Sequence, residues 1–80
     1  MKIRRMTDND RRKIQAYERM TGAVVGNIGG DNWKIETPEQ DIYFYSLRDL
    51  MIDIGENLAA MRELVEAGQI EPKLWKGAWA

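Results

Sequence analysis

Two patterns in this chain have residue types and spacings that could do chemistry. Residues 24–33, VVGNIGGDNW, place three glycines in five positions after two valines, the composition of a loop that wraps phosphate. Two carboxylate pairs, Glu36 with Glu39 and Asp49 with Asp53, have spacings that suit general acid–base work or Mg²⁺. A Walker loop, however, needs G-x-x-x-x-G-K-[ST], because the lysine meets the phosphates and the hydroxyl holds the metal. Here Asp31 and Asn32 follow the glycines. A dinucleotide fingerprint must open a helix, so that the helix N-terminus faces the pyrophosphate, and these glycines lead into strand-like residues. Gly29-Gly30-Asp31-Asn32 has the residues of a tight hairpin turn, and Gly26, mid-strand, predicts a bulge or a close backbone approach. The carboxylate pairs come with no pocket pattern and read as surface. The chain has no histidine and no cysteine, which removes imidazole bases, Ser-His-Asp and Cys-His arrangements, thiol catalysis, zinc knuckles and disulfides. The expectation is a protein that is not an enzyme and carries no metal and no cofactor.

The elements that must position any functional residue are legible in turn. Thr7-Asp8-Asn9-Asp10 fits a capping box, so a helix is predicted over 8–21, ending at Gly22. On a 100° wheel Ile14, Ala16, Tyr17 and Met20 fall on one side, and Arg11, Arg12, Gln15 and Arg19 on the other. Lys13 lies amid the apolar set and must snorkel. Three strand-like runs, 23–28, 33–37 and 41–45, fill the segment 23–45, and proline at 38 marks the second connection. Ser46, with Asp49 three residues on, caps a second helix over 47–67 that stops at Gly68. Its apolar positions Leu47, Met51, Ile54, Leu58, Met61 and Val65 run in unbroken 4-3-4-3-4 spacing, widened by Leu50 and Leu64. Gly55 inside it costs about 1 kcal/mol against alanine, which calls for something packed closely there. Residues 69–80 form an aromatic tail after the helix. Eighty residues make a single domain, an α+β fold of order α-β-β-β-α in which a three-stranded antiparallel meander packs against the long C-terminal helix.

The same order occurs in double-stranded-RNA-binding domains, which meet phosphates with basic residues at the start of the last helix. Leu47-Arg48-Asp49-Leu50-Met51-Ile52-Asp53 offers one arginine against two aspartates. That is the wrong sign for phosphate, so membership does not follow.

The surface carries the remaining functional information. Residues 1–20 hold seven Lys/Arg and three Asp/Glu (+4), and residues 21–80 hold five and ten (−5). Opposite the apolar seam, Asp49, Asp53, Glu56 and Glu63 share an arc of about 80°, with Ile52 beside them. Such a stripe suits a basic groove on a partner. Trp75 and Trp79, four apart in the tail, read as partner anchors or as cover for a small core. The expected function is therefore a non-enzymatic protein-interaction module binding a larger protein. It would be a small inhibitor or adaptor, of the kind that phages and mobile elements direct against host nucleases or transcription complexes. The alternative is nucleic-acid binding through Arg11, Arg12 and Arg19. No apolar run approaches the about 20 residues that span a bilayer, and MKIRRMTDND lacks the apolar region of a signal peptide, so a cytoplasmic protein is expected. Finally, a 21-residue helix is about 31 Å long and a five-residue strand about 17 Å. The Met61–Val65 end of the seam is therefore predicted to overhang the sheet and to need cover from helix one, the tail or a second copy, in a homodimer whose seam is Leu58, Met61 and Val65.

Overall fold

A computed structural model of the chain describes residues 5–70. The order is α1 (Asp8–Thr21), β1 (Val24–Gly29), β2 (Asn32–Glu36), β3 (Asp41–Phe44) and α2 (Leu47–Glu66). The three strands form one antiparallel sheet in the order β1-β2-β3, and both helices pack against it and against each other. This is the small α+β domain that the hydrophobic pattern predicts.

Helix α1 begins where its cap dictates. The Thr7 side chain accepts from the Asp10 N–H, and the Asp10 carboxylate accepts from the Thr7 N–H, both at 3.1 Å, so two orphan donors are satisfied reciprocally. The helix ends at Gly22, whose φ of +75° lets its N–H reach the Glu18 carbonyl at 2.8 Å.

Strand register follows the two-residue alternation. Ile35 is fully buried, and its cross-strand neighbours Val25 and Ile42 share its face. Trp33 lies opposite Phe44 on that same face. The β1–β2 hairpin turns at Gly30-Asp31, with φ of +123° at Gly29 and +54° at Gly30, which glycine reaches without a Cβ penalty. The irregularity expected at Gly26 is displaced. Gly26 pairs regularly with Lys34, and the register shifts between Asn27 and Gly29, so Ile28 is the extra residue. The reason is local, since the bulge lies beside the turn whose positive φ angles reshape the strand end. At the second connection, the Thr37 hydroxyl donates to the Gln40 carbonyl at 2.6 Å and accepts from the N–H groups of Gln40 and Glu39. A threonine side chain therefore closes that turn alongside the proline.

Helix α2 stops in a Schellman arrangement. Gly68 has φ +78°, its N–H bonds the Val65 carbonyl at 3.0 Å, and the Gln69 N–H bonds the Leu64 carbonyl at 2.9 Å. The core is built from the seam: Leu47, Leu50, Met51, Ile54 and Leu58 meet Ile14, Ala16 and Tyr17 of α1 and Ile35 of the sheet. Each fully buried leucine or isoleucine contributes about 1.5–3 kcal/mol. No close packing explains Gly55, because a Cβ there would have nothing within 4 Å. Its helix cost of about 1 kcal/mol is thus unrelieved by contact.

Along α2 burial fades beyond Met61: Arg62, Glu63 and Leu64 are exposed and Val65 is half-buried. Leu58, expected in a seam between copies, is fully buried within one copy, and Met61 is partly buried against the same core. Of the three seam residues, Leu58 therefore has no surface to offer a second copy.

Candidate functional site

Two contacts anchor the start of α2, whose buried seam fixes the face it turns outward. Ser46 caps the helix, accepting from the Asp49 N–H at 3.0 Å. The Asp31 carboxylate, at the tip of the β1–β2 hairpin, accepts from the Leu47 N–H at 3.2 Å. The acid expected to complete a capping box, Asp49, is exposed. A carboxylate sixteen residues upstream instead accepts from the next donor, the Leu47 N–H, and ties the hairpin to the helix start. A turn aspartate reads in sequence as turn chemistry alone, so this role is invisible before folding.

With the seam held inward, Asp49, Glu56 and Glu63 are exposed on the opposite face. Ile52 lies beside that arc with 50% of its surface in water. An apolar side chain flanked by carboxylates on a water-facing helix gives hydrophobic contact together with attraction for a basic surface.

Asp53 departs from that stripe. It is half-buried, and it lies close enough to Tyr17, a buried residue of α1, for its charge to raise the phenol's pKa, although burial is the larger cause of that rise. The Asn57 amide donates to the Asp53 carbonyl at 2.9 Å and to its carboxylate at 3.4 Å. Burial first, and the Glu56 charge second, push the Asp53 carboxyl above its ordinary 3.8. The folded state therefore holds that proton more tightly than the unfolded chain does. This contribution to stability is present at low pH and is lost as pH rises from 3.8 through the raised value. Asp53→Asn should accordingly raise the melting temperature at pH 7. The gain is a few tenths of a kcal/mol, because the half-buried carboxyl keeps part of its contact with screening water, and it should vanish below about pH 3, where the group is protonated in both the folded and the unfolded state. Thermal melts at the two pH values check this, and an unchanged or lower melting temperature at pH 7 contradicts it.

The other sequence candidates are dispersed. Glu36 forms an ion pair with Lys34 on the water-facing side of β2, while Glu39 is exposed in the following turn. Among the described residues no group of three or more acidic side chains is gathered to hold a metal ion. Arg11, Arg12 and Arg19 are exposed on α1, and Arg11 lies 3.8 Å from Asp8. Tyr17, the aromatic nearest those arginines in sequence, is 6% exposed, so base stacking on it is not available. Among the described residues no helix is long and apolar enough to cross a membrane. Trp75 and Trp79 lie outside the described residues. Comparison with protein-family models, with curated proteins and with solved structures finds no match to this chain.

Proposed function

We propose that this domain is a non-enzymatic interaction module, an inhibitor or adaptor that applies the outer face of α2 to a basic surface of a larger protein. The observation that supports this is Ile52, half in water and set among exposed Asp49, Glu56 and Glu63. A solvated helix face has no use for an isoleucine there, whereas an interface uses one as an apolar centre ringed by charge. Targets that offer such a basic groove include nucleases and transcription complexes, whose own substrates are polyanions. The size and charge suit an inhibitor of the kind that phages and mobile elements produce, acting in the cytoplasm, where those targets are found.

Quantitative affinity capture with Ile52→Ala tests the reading. Because the side chain is half exposed, folding should change by under about 1 kcal/mol. Retention of the partner should fall about tenfold or more, the effect of truncating an interface residue worth at least 1.4 kcal/mol. Undiminished retention by the folded variant removes Ile52 from the interface.

A further inference from the structure

We propose that the open edge of β1 is a strand-addition site for a second copy of this chain, held shut by the carboxylate of Glu18. Among the described residues β1 lies at one end of the sheet, with β2 as its strand neighbour. Residues 22–30, GAVVGNIGG, contain no charge, and Val24 and Ile28 are 57% and 50% exposed. An uncharged, β-branched edge of this kind is a template for another strand, and stable proteins defend such edges.

The defence here is specific. In an antiparallel ladder, alternate residues turn their N–H and C=O groups away from the neighbouring strand. Val25 is one such residue, because its N–H donates to Glu18 Oε2 at 2.9 Å. Asn27, two residues on, turns the same way. Two further donors near this edge are satisfied locally, Ala23 by the Thr21 hydroxyl at 3.2 Å and Gly29 by the Asn27 side chain at 3.1 Å. Those two bonds span two residues each and shape the ends of the strand. Glu18 instead comes from α1, seven residues away, and covers the Val25 N–H, the first outward-turned donor within β1, where an incoming strand would have to bond. It also puts a charge beside a strand whose own residues carry none.

The strand's own sequence selects a second copy as the occupant. Antiparallel pairing about a two-fold axis through Gly26 sets Val24 beside the second copy's Ile28, both apolar and exposed. It sets glycine against glycine at the centre, where even an added Cβ would have nothing within 4 Å. No charged residue of either strand opposes another. The same operation would bring two Glu18 carboxylates to one seam, so the guard acts by repulsion as well as by occupying the donor.

Sedimentation equilibrium on wild type, Glu18→Ala and the double variant Glu18→Ala/Val24→Lys, with circular dichroism to confirm folding, tests the proposal. Wild type should remain monomeric. Glu18→Ala should dimerise with a dissociation constant lower by roughly 100-fold or more, the factor of two charge-assisted hydrogen bonds, one in each copy. The amides of Val25 and Asn27 should gain protection from hydrogen exchange in that dimer. The added lysine, on an exposed position of the same edge, should restore the monomer by like-charge repulsion. The proposal is overturned by a folded Glu18→Ala that stays monomeric at about 500 μM, where weak dimers populate. It is equally overturned by a wild type that already pairs through β1, by protection that appears on β3 instead, by a double variant that still associates, or by a Glu18→Ala chain that does not fold, since the carboxylate would then be a structural cap.

Discussion

Leu58→Ala should cost about 3–4 kcal/mol of unfolding free energy, read as a lower urea midpoint at unchanged m-value. Leu58 is fully buried, with Ile35, Leu47, Leu50 and Ile54 as the other large side chains closed off from water. Truncation there loses the transfer free energy of the removed carbons and leaves a cavity that a core of this size cannot collapse around. Domains of 80 residues have a total stability of about 4–12 kcal/mol, so the variant should be substantially unfolded at modest urea. Met61→Ala, one turn further along a partly buried position, should cost about half as much or less. The pair of variants also separates an intramolecular core from a seam between copies. If Leu58 acted by joining two chains, the midpoint would shift with protein concentration. It should not shift. A loss under about 1 kcal/mol for Leu58→Ala would mean that the side chain is not in the core.

Much of this architecture is written in local patterns. The Thr7–Asp10 box, the Ser46 cap, the glycines at 22 and 68 and the 4-3-4-3-4 seam each depend on neighbours within five residues. Sequence order therefore places α1 and α2 to within a residue. The period-2 runs likewise give the strands and the correct inner face for Ile35, Ile42 and Phe44. What sequence does not expose are contacts between elements. Asp31 bonds the start of α2 and Glu18 bonds β1 across a chain reversal, and neither acid differs in sequence from a solvated one. Asp53 sits in the acidic arc of a helical wheel, but the wheel ignores where α1 lies. The residue is half-buried, near enough to Tyr17 of α1 for its charge to act on the phenol. Gly26 looked like a bulge because glycine permits one. The bulge went to Ile28, beside the turn that needs it. The outer face of α2 was legible as a set of charges, and only the packing of α1 shows that three of its four acids face water.

Those three acids carry the other large prediction. Reversing them together, Asp49→Lys with Glu56→Lys and Glu63→Lys, changes the formal charge from −1 to +5, because each reversal adds two. Against a basic surface, three attractions become repulsions, and like charges brought together at an interface cost several kcal/mol. Retention of the partner should fall on the order of 100-fold or more, a loss of at least about 2.7 kcal/mol. Folding should largely persist, because the three side chains are exposed and the Ser46 hydroxyl still caps the helix. Asp49 lies in the first turn, so its reversal against the helix dipole costs about 0.3–1 kcal/mol. Wild-type capture should also weaken as salt rises past about 0.15 M, where the screening length is about 8 Å. The triple variant should show no such dependence. Replacing Arg11, Arg12 and Arg19 by alanine gives the opposing arm. If α1 bound nucleic acid, wild type would shift DNA in a gel at about 20 mM salt, and these substitutions would abolish the shift and reduce its salt slope. Under the acidic-face reading the arginine variant captures the partner as wild type does. A folded triple-lysine variant that retains the same partner at wild-type level, or an arginine variant that loses it, would show that the outer face of α2 is solvated surface and not the binding site.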